Sequence, residues 1–459
     1  MTGETRAVWY ACPMEKTVNI IGAGLAGSEA ALQLASRGVR VRLHEMRPAV
    51  TTDVHHSADC AELVCSNSLK STKPESAAGM LKAELSALGS FLMQEAQDNR
   101  VEAGGALAVD REAFSGAVTK LVRNHPLIDY VVGEVSEPPL DADAVVLATG
   151  PLTSDALAAW VAERAGADNL AFFDAAAPIV MADSLDETIL FRQSRYEDQA
   201  VGDYLNAPFT KESYEAFIDE LLGAERVIKK EFETSDLFQA CQPIEEIARK
   251  GRDAPRFGTC KPVGLTDPAT GRRPWAAVQL RAENADLTAY NLVGFQTNLT
   301  FPEQRRVFRM IPGLEHAEFA RYGVMHRNTF ICAPQLLDSR LHFARASQDV
   351  PVYVAGQLSG TEGYCEAIMS GLVAALSVYA QLSGVDLPPM PRSMAFGALL
   401  AYATDPETKD YQPMHVNFGI MEPFEQRIRN KQQRYAAYAA RGAEGLESYA
   451  ASLRAAGLL

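Results

Sequence analysis

Val18-Asn19-Ile20-Ile21-Gly22-Ala23-Gly24-Leu25-Ala26-Gly27 is an apolar run that enters a Gly-x-Gly-x-x-Gly turn. The pattern predicts a strand up to Ile21 and a helix opening in the turn. Each glycine has its own task in such a turn: Gly22 allows the tight bend, Gly24 lets the backbone approach a pyrophosphate, and Gly27 lets helix and strand pack closely. The N–H groups of the first helical turn then face an anion. Further along, Ala31 and Leu34 hold the helix on a sheet, Gly38 ends it, and Val39 to His44 alternates like a strand. Glu45 follows where an acceptor for a ribose hydroxyl belongs, and Met46-Arg47 comes next.

Glycine-rich turns occur in many loops, so the register of strand, turn, helix, strand and acid carries the reading rather than the glycines alone. S-adenosylmethionine sites use a similar turn with an acid on the next strand. Two features favour an adenylated dinucleotide instead: the glycine spacing, and a second apolar strand, Asp143 to Gly150, that ends at the same place. Its Ala148-Thr149-Gly150 end is similar to an element of FAD enzymes of the glutathione reductase type. A late strand and turn, Val352-Tyr353-Val354-Ala355-Gly356, precedes Gly360-Thr361-Glu362-Gly363-Tyr364 and a helix from Cys365 to about Leu382. The nucleotide domain is therefore expected to close over its cofactor from both ends of the chain.

Between about residues 175 and 335 the pattern changes to aromatic and proline-rich strands alternating with acidic helices, with no second fingerprint. The expected architecture is α/β. A loose extension (1–13) precedes an FAD-binding Rossmann-like domain of glutathione reductase type (14–174 and 336–459), which carries an inserted α+β domain (175–335) and a basic C-terminal helix. With one fingerprint only, a nicotinamide must bind transiently beside a flavin.

At 459 residues the chain exceeds one ordinary core. No apolar run is expected to span a membrane and no secretory leader is read, so the cytosol is the expected compartment. Seven cysteines without a Cys-x-x-Cys pair argue against a disulfide framework and a zinc knuckle, and the adjacent His55 and His56 cannot both face one metal from a regular element. Metal chemistry is not expected. The net charge of −15 opposes general adhesion to nucleic acid. Three basic clusters stand against that background: Arg252, Arg256, Lys261, Arg272 and Arg273; Arg305, Arg306 and Arg309; and Arg427, Arg429, Lys431 and Arg434 with Tyr435 and Tyr438. Solvated helix faces account for such runs as readily as a binding surface does.

Two thiols stand out by context. Cys65 ends the apolar run Ala61 to Val64 and is followed by three small polar residues, which places it at a turn. Cys241 lies two residues before Pro243, at the expected start of a helix; a helix N-terminus favours a thiolate while Glu245 and Glu246 oppose it. Either thiol alone, like Cys12, Cys60, Cys260, Cys332 and Cys365, also reads as a small buried side chain. Between the two, Pro74 and the spacing of Leu81, Leu85, Leu88 and Leu92 predict one helix packed on the core. No serine nucleophile elbow and no P-loop lysine occurs, which removes serine hydrolysis and P-loop phosphoryl transfer.

The strings Gly22 to Ala30, Glu45-Met-Arg-Pro48, Val64-Cys-Ser-Asn-Ser68, Gly104 to Arg111, Ala148 to Ser154, Tyr322 to Thr329 and Gln412-Pro-Met414 occur in the same order as in one known family. From Met14 to about Arg434 the chain resembles the folate- and FAD-dependent tRNA uracil-5-methyltransferases. That resemblance implies methylation of carbon 5 of a uridine in the T loop of tRNA. FAD is then the cofactor, methylenetetrahydrofolate the carbon donor and NAD(P)H the reductant. It also implies roles. Cys241 matches the cysteine usually assigned to attack on uracil and Cys65 the one beside the flavin, although the two roles could be exchanged. Tyr364 matches a ring stacked near the isoalloxazine, Glu45 and Arg47 hold the adenosine end, and the basic clusters bind the T arm. Carbon 5 of uracil is a poor nucleophile until a thiolate adds to carbon 6, and its proton must then leave, so a nucleophile and a base are both required. The same chemistry on ribosomal RNA, an aminomethyl-type modification of a wobble uridine, and a non-catalytic FAD-holding RNA-binding protein are the alternatives.

Overall fold

Strand Thr17–Ile21 (β1) leads through Gly22 into helix Leu25–Ser36 (α1) and on to strand Arg40–Glu45 (β2), as the opening motif requires. A computed structural model describes residues 14–52, 54–166, 170–175, 177–195, 202–227, 242–323, 325–408, 411–426 and 428–459. Five strands form one parallel sheet in the order Val352–Val354, Ala144–Leu147, β1, β2, Ile128–Val132. Counted along the chain this is 3-2-1-4-5, the doubly wound order whose switch point lies between β1 and Ala144–Leu147. Ligands of such sheets bind outside the carboxyl ends of the strands at that point, where Gly22 and the Ala148-Thr149-Gly150 loop meet.

Close packing explains two of the fingerprint glycines. A Cβ on Gly27 would lie 1.8 Å from the Gly22 carbonyl oxygen, and one on Gly22, which has φ +100°, would lie 2.6 Å from the Ala148 oxygen. Helix α1 is buried along nearly its whole length and packs on Tyr364–Ser383, where a Cβ on Gly371 would lie 2.2 Å from the Ala26 oxygen. That second helix is long and apolar enough to cross a membrane, contrary to the sequence expectation, but 78% of its apolar window is buried inside the protein. Its apolarity serves the core.

Buried carboxylates hold helix starts in place. Glu29 on α1 accepts from the Leu92 amide (2.9 Å), the Phe91 amide (3.2 Å) and the Ser90 hydroxyl (3.0 Å), at the start of helix Phe91–Asp98. Glu84 accepts from the amides of Ala395 (2.6 Å) and Phe396 (3.0 Å) at the start of helix Ala395–Thr404. Each carboxyl group satisfies donors that the helix start would otherwise leave orphaned. The single helix expected across Leu81 to Leu92 is in fact two, Ala77–Ala87 and Phe91–Asp98. The chain breaks at Gly89 (φ +73°) and Ser90 caps the second helix, so the leucines bury one continuous face across a broken backbone.

A second, antiparallel sheet runs Phe191–Arg192, Leu205–Phe209, Ala276–Ala282, Ala289–Leu292, Ile179–Met181, Phe319–Arg321. Helices Lys211–Gly223 and Phe301–Phe308 pack on it around Phe209, Phe217, Phe295 and Phe308, a core separate from that of the parallel sheet. Chain enters and leaves this lobe side by side, because Leu170–Ala175 pairs antiparallel with Met325–Phe330. The fold is α/β with an α+β insertion.

Candidate active site

A cavity of about 350 Å³ opens at the switch point. Gly22, Gly24, Leu25, Ala26, Glu45, Arg47, Thr149, Gly150, Gly356 and Tyr364, all singled out in the sequence, line it together with Cys65. Ala23 lies just behind, fully buried. Gly24 is informative because nothing inside the protein requires it: its φ of −70° suits any residue, and a Cβ there would have no neighbour within 4 Å. No side chain caps α1, which leaves its first N–H groups for a ligand. The Gln357 side-chain nitrogen is likewise buried at the cavity and has no hydrogen-bond partner among the described residues. Glycine kept clear, an uncapped helix start and an orphaned donor together fit a pyrophosphate-bearing dinucleotide.

Glu45 stands at the end of β2 and is buried beside it. One carboxylate oxygen accepts from the Ala23 amide (2.8 Å), the other from the Arg47 amide (3.0 Å) and Nε (2.9 Å). Arg47 also reaches Glu62 at 3.1 Å. Burial alone would raise the Glu45 carboxyl, but the hydrogen bonds and charge of Arg47 hold it below its ordinary value. A carboxylate has capacity beyond these bonds, so it can still accept a ribose hydroxyl.

Cys65 sits half-buried on an irregular turn that is fastened from four directions. The Tyr364 hydroxyl accepts from the amides of Cys65 (2.9 Å) and Ser66 (3.0 Å). Arg111, at the start of helix Arg111–Asn124, donates to the Leu63 carbonyl, to the Cys65 carbonyl (2.9 Å) and to Glu283 of the inserted lobe. Arg281 donates to Asn67 Oδ1 (2.8 Å), and Arg321 to the Val64 carbonyl (2.7 Å). Asn67 in turn donates to the carbonyls of Val109 (3.0 Å) and Ala282 (2.8 Å). Three guanidinium groups thus fasten the backbone and the Asn67 side chain of the turn that carries the thiol.

Cys241 lies outside the described residues, as do the extension 1–13 and Arg427. The helix expected after it does begin at Pro243, as Ile244–Arg249. Buried Glu245 there accepts from the Asn298 amide (2.7 Å) and the Thr297 hydroxyl (3.1 Å), and the Ile244 amide donates to the carbonyl of Gln296, a cavity residue (2.8 Å). The other described thiols have different settings. Burial pushes Cys60 up, Cys260 up to about 12 and Cys365 up to about 11, which makes them poor nucleophiles.

Sequence reasoning missed Arg281, Arg321, Gln296 and Gln357, and gave Arg111 no role. Arg111 closes the string Gly104 to Arg111 and could have been suspected from it. Nothing local marks the other four, because they reach the site only by tertiary contact.

Fold and cleft together define an FAD-type dinucleotide-binding protein with a thiol-bearing turn between two lobes. The family described as Glucose inhibited division protein A matches residues 17–386. The chain is 52% identical to methylenetetrahydrofolate--tRNA-(uracil-5-)-methyltransferase TrmFO of Geobacter sulfurreducens, covering 92% of this chain and 96% of that one. It is 48% identical to the protein of the same name from Bacillus licheniformis, over 96% of this chain and 100% of that one. Among solved structures, Aquifex aeolicus GidA superposes with a TM-score of 0.68 at 16% identity, covering 95% of this chain and 74% of that one, a likeness of fold. The chain belongs to the GidA family and, within it, to the methylenetetrahydrofolate--tRNA-(uracil-5-)-methyltransferases.

Proposed function

We propose that this protein is the folate- and FAD-dependent enzyme that methylates carbon 5 of a uridine in the T loop of tRNA. Family membership supports tRNA as the substrate, and the observation that carries the chemistry is the Cys65 turn, held by Tyr364 and Arg111 on the wall of the dinucleotide cleft. FAD, when bound, supplies reducing equivalents from NAD(P)H together with the one-carbon unit drawn from methylenetetrahydrofolate. The N-terminus of α1 and Gly24 would hold its pyrophosphate, Glu45 and Arg47 its adenosine end, and the Gln357 side chain would supply a further donor from the cavity lining.

One thiolate adds to carbon 6 of the uracil, and the electron pair moves to carbon 5 and the adjoining carbonyl. Once carbon 5 is bonded to the methylene carbon, the second thiolate removes the carbon 5 proton as that methylene parts from its carrier, and the two electrons that take methylene to methyl would come from the reduced cofactor. The returning pair then breaks the sulfur–carbon 6 bond and restores the ring. Cys241 is assigned the addition and Cys65 the proton, with Arg111, Arg281 and Arg321 holding the turn that positions Cys65.

The test is incubation of purified protein with labelled methylenetetrahydrofolate, NAD(P)H and unmodified tRNA, beside Cys65→Ala and Cys241→Ala. Label enters tRNA with the wild type and is lost in both variants. Undiminished labelling in both, or methyl transfer from S-adenosylmethionine instead, overturns the reading.

A further inference from the structure

Residues 249–273 invert the charge of the chain, with seven Lys and Arg against two Asp, a net of +5 within a protein of −15. At the centre of this segment, at the end of the short helix Ala254–Phe257, the Phe257 ring is 82% exposed, far more than any other large aromatic side chain among the described residues. Its neighbour Arg256 turns the other way, with its guanidinium 3.7 Å from the Trp275 ring centroid and its Nε on the Trp275 carbonyl (3.1 Å). Arg272 and Arg273, on the adjoining turn, are exposed and form no ion pair among the described residues. Arg249, Arg252 and Arg256 pair with Glu246, Asp219 and Asp253, so the patch presents an aromatic face beside the uncommitted charge of Arg272 and Arg273.

In the second cluster the cations bond within the chain, whereas in the third Arg429 and Lys431 are exposed and form no ion pair among the described residues. Arg306 pairs with Glu303 and Glu220, Arg305 bonds the Tyr322 hydroxyl, and Arg309 holds the Ala317 carbonyl (2.9 Å). On the C-terminal helix Lys431–Ala455, Arg434 bonds the Ile428 carbonyl (3.1 Å), and its guanidinium lies 5.8 Å from the Tyr435 ring centroid. What sets the Phe257 patch apart is that its uncommitted cations stand beside the most exposed large aromatic ring among the described residues.

Strand Ala276–Ala282 connects this patch to the reacting centre. It starts beside Trp275, and Arg281 near its far end grips Asn67, two residues from Cys65. Six residue-to-residue steps of extended chain lead from Trp275 to Arg281, about 20 Å at ~3.4 Å per step. That distance is about six base steps of a duplex at ~3.4 Å each.

We propose that the Phe257 patch is the RNA-docking surface of this protein, where an unpaired base stacks on Phe257 and phosphates meet Arg272 and Arg273 while the target uridine lies at Cys65. The proposal rests on the methyltransferase reading above and adds where the RNA sits. Base–aromatic stacking is tolerant of sequence, and phosphate contacts position the strand without reading it.

The test compares wild-type holoenzyme with Phe257→Ala and with the double variant Arg272→Ala/Arg273→Ala, using unmodified tRNA as probe. Both substitutions are at exposed side chains, so flavin content and flavin reduction by NAD(P)H without RNA serve as controls and stay unchanged. Phe257→Ala is expected to raise the Kd and KM for tRNA by about 5- to 100-fold with kcat at saturating tRNA retained. The double variant lowers the slope of log K against log salt by about 2. Unchanged tRNA affinity in both variants, with wild type binding and methylating normally, overturns the docking surface and leaves the enzyme reading intact. A wild type that neither binds nor methylates tRNA removes both. A change in sedimentation mass with Phe257→Ala, at unchanged tRNA affinity, makes the face a contact between copies and also overturns the proposal.

Discussion

The Tyr364 hydroxyl accepts hydrogen bonds from the backbone amides of Cys65 and Ser66 at 2.9 and 3.0 Å, so a residue late in the chain sets the position of a thiol near its start. The tyrosine lies in the first turn of the helix that packs on α1, and so the thiol is tied to the same helix pair that frames the cofactor cleft. Burial keeps the phenol protonated. Tyr364→Phe retains the ring but leaves two amides without their acceptor, at a cost of about 1–3 kcal/mol. Flavin content is expected to stay near that of the wild type, while kcat falls about ten-fold or more and alkylation of Cys65 by iodoacetamide speeds up as the turn loosens. Unaltered alkylation and turnover would show that the turn is held without this hydroxyl.

The two glycines of the fingerprint should fail differently. Gly27→Ala drives a methyl group into the Gly22 carbonyl at 1.8 Å, and the protein is expected not to accumulate in folded form. Gly24→Ala meets no protein atom within 4 Å, so it should fold with Tm within a few degrees of flavin-free wild type but purify without yellow colour. Absorbance near 450 nm and thermal melts separate the cases; a yellow Gly24→Ala protein would assign that glycine no part in cofactor binding.

Arg47→Ala leaves the buried carboxylate of Glu45 and the partly buried one of Glu62 without their cation and should cost about 3–5 kcal/mol. Because the folded protein holds Glu45 below its unfolded value, the pair contributes stability above about pH 4.3 that is lost as pH falls through the depressed value. Urea melts should therefore show the deficit of the variant shrinking in acid. A constant deficit from neutral pH to pH 3 would mean that the salt bridge adds nothing to folding.

Glu84 behaves in the opposite sense. Complete burial pushes its carboxyl up to about 7 despite the two amides of the Ala395 helix. The folded state then binds the proton more tightly than the unfolded one, so this group's contribution is greatest below about pH 4.5 and declines as pH rises to about 7. Relative to Glu84→Gln, the wild type should lose about 2 kcal/mol between pH 5.5 and pH 8. Parallel stability curves for the two proteins over that range would contradict the assignment.

Much of the nucleotide-binding half was legible because its signals are local. A strand, a glycine turn, a helix and an acid in fixed register require no knowledge of distant residues, and β1, α1, β2 and strand Ala144–Leu147 stand where the pattern put them. The helix across Leu81 to Leu92 was misread as continuous because periodicity reports which face is buried and is blind to a break that preserves that face. Helix Tyr364–Ser383 was not anticipated as membrane-like in composition; a helix buried on nearly all sides needs the same apolarity as one in lipid.

By itself, then, the sequence determined the dinucleotide turn, the acid that follows it, and the two cysteines worth testing, because each is written in the order and spacing of neighbouring residues. Only the tertiary structure decided what surrounds Cys65. Arg111, Arg281, Arg321 and Tyr364 are up to 299 positions away from it in the chain or its adjoining turn, and meet there because two lobes close on one loop. Likewise the fates of three similar-looking basic clusters were settled by which carboxylates, carbonyls and rings folding brought to them, since charge in a sequence shows no partner until the chain is packed.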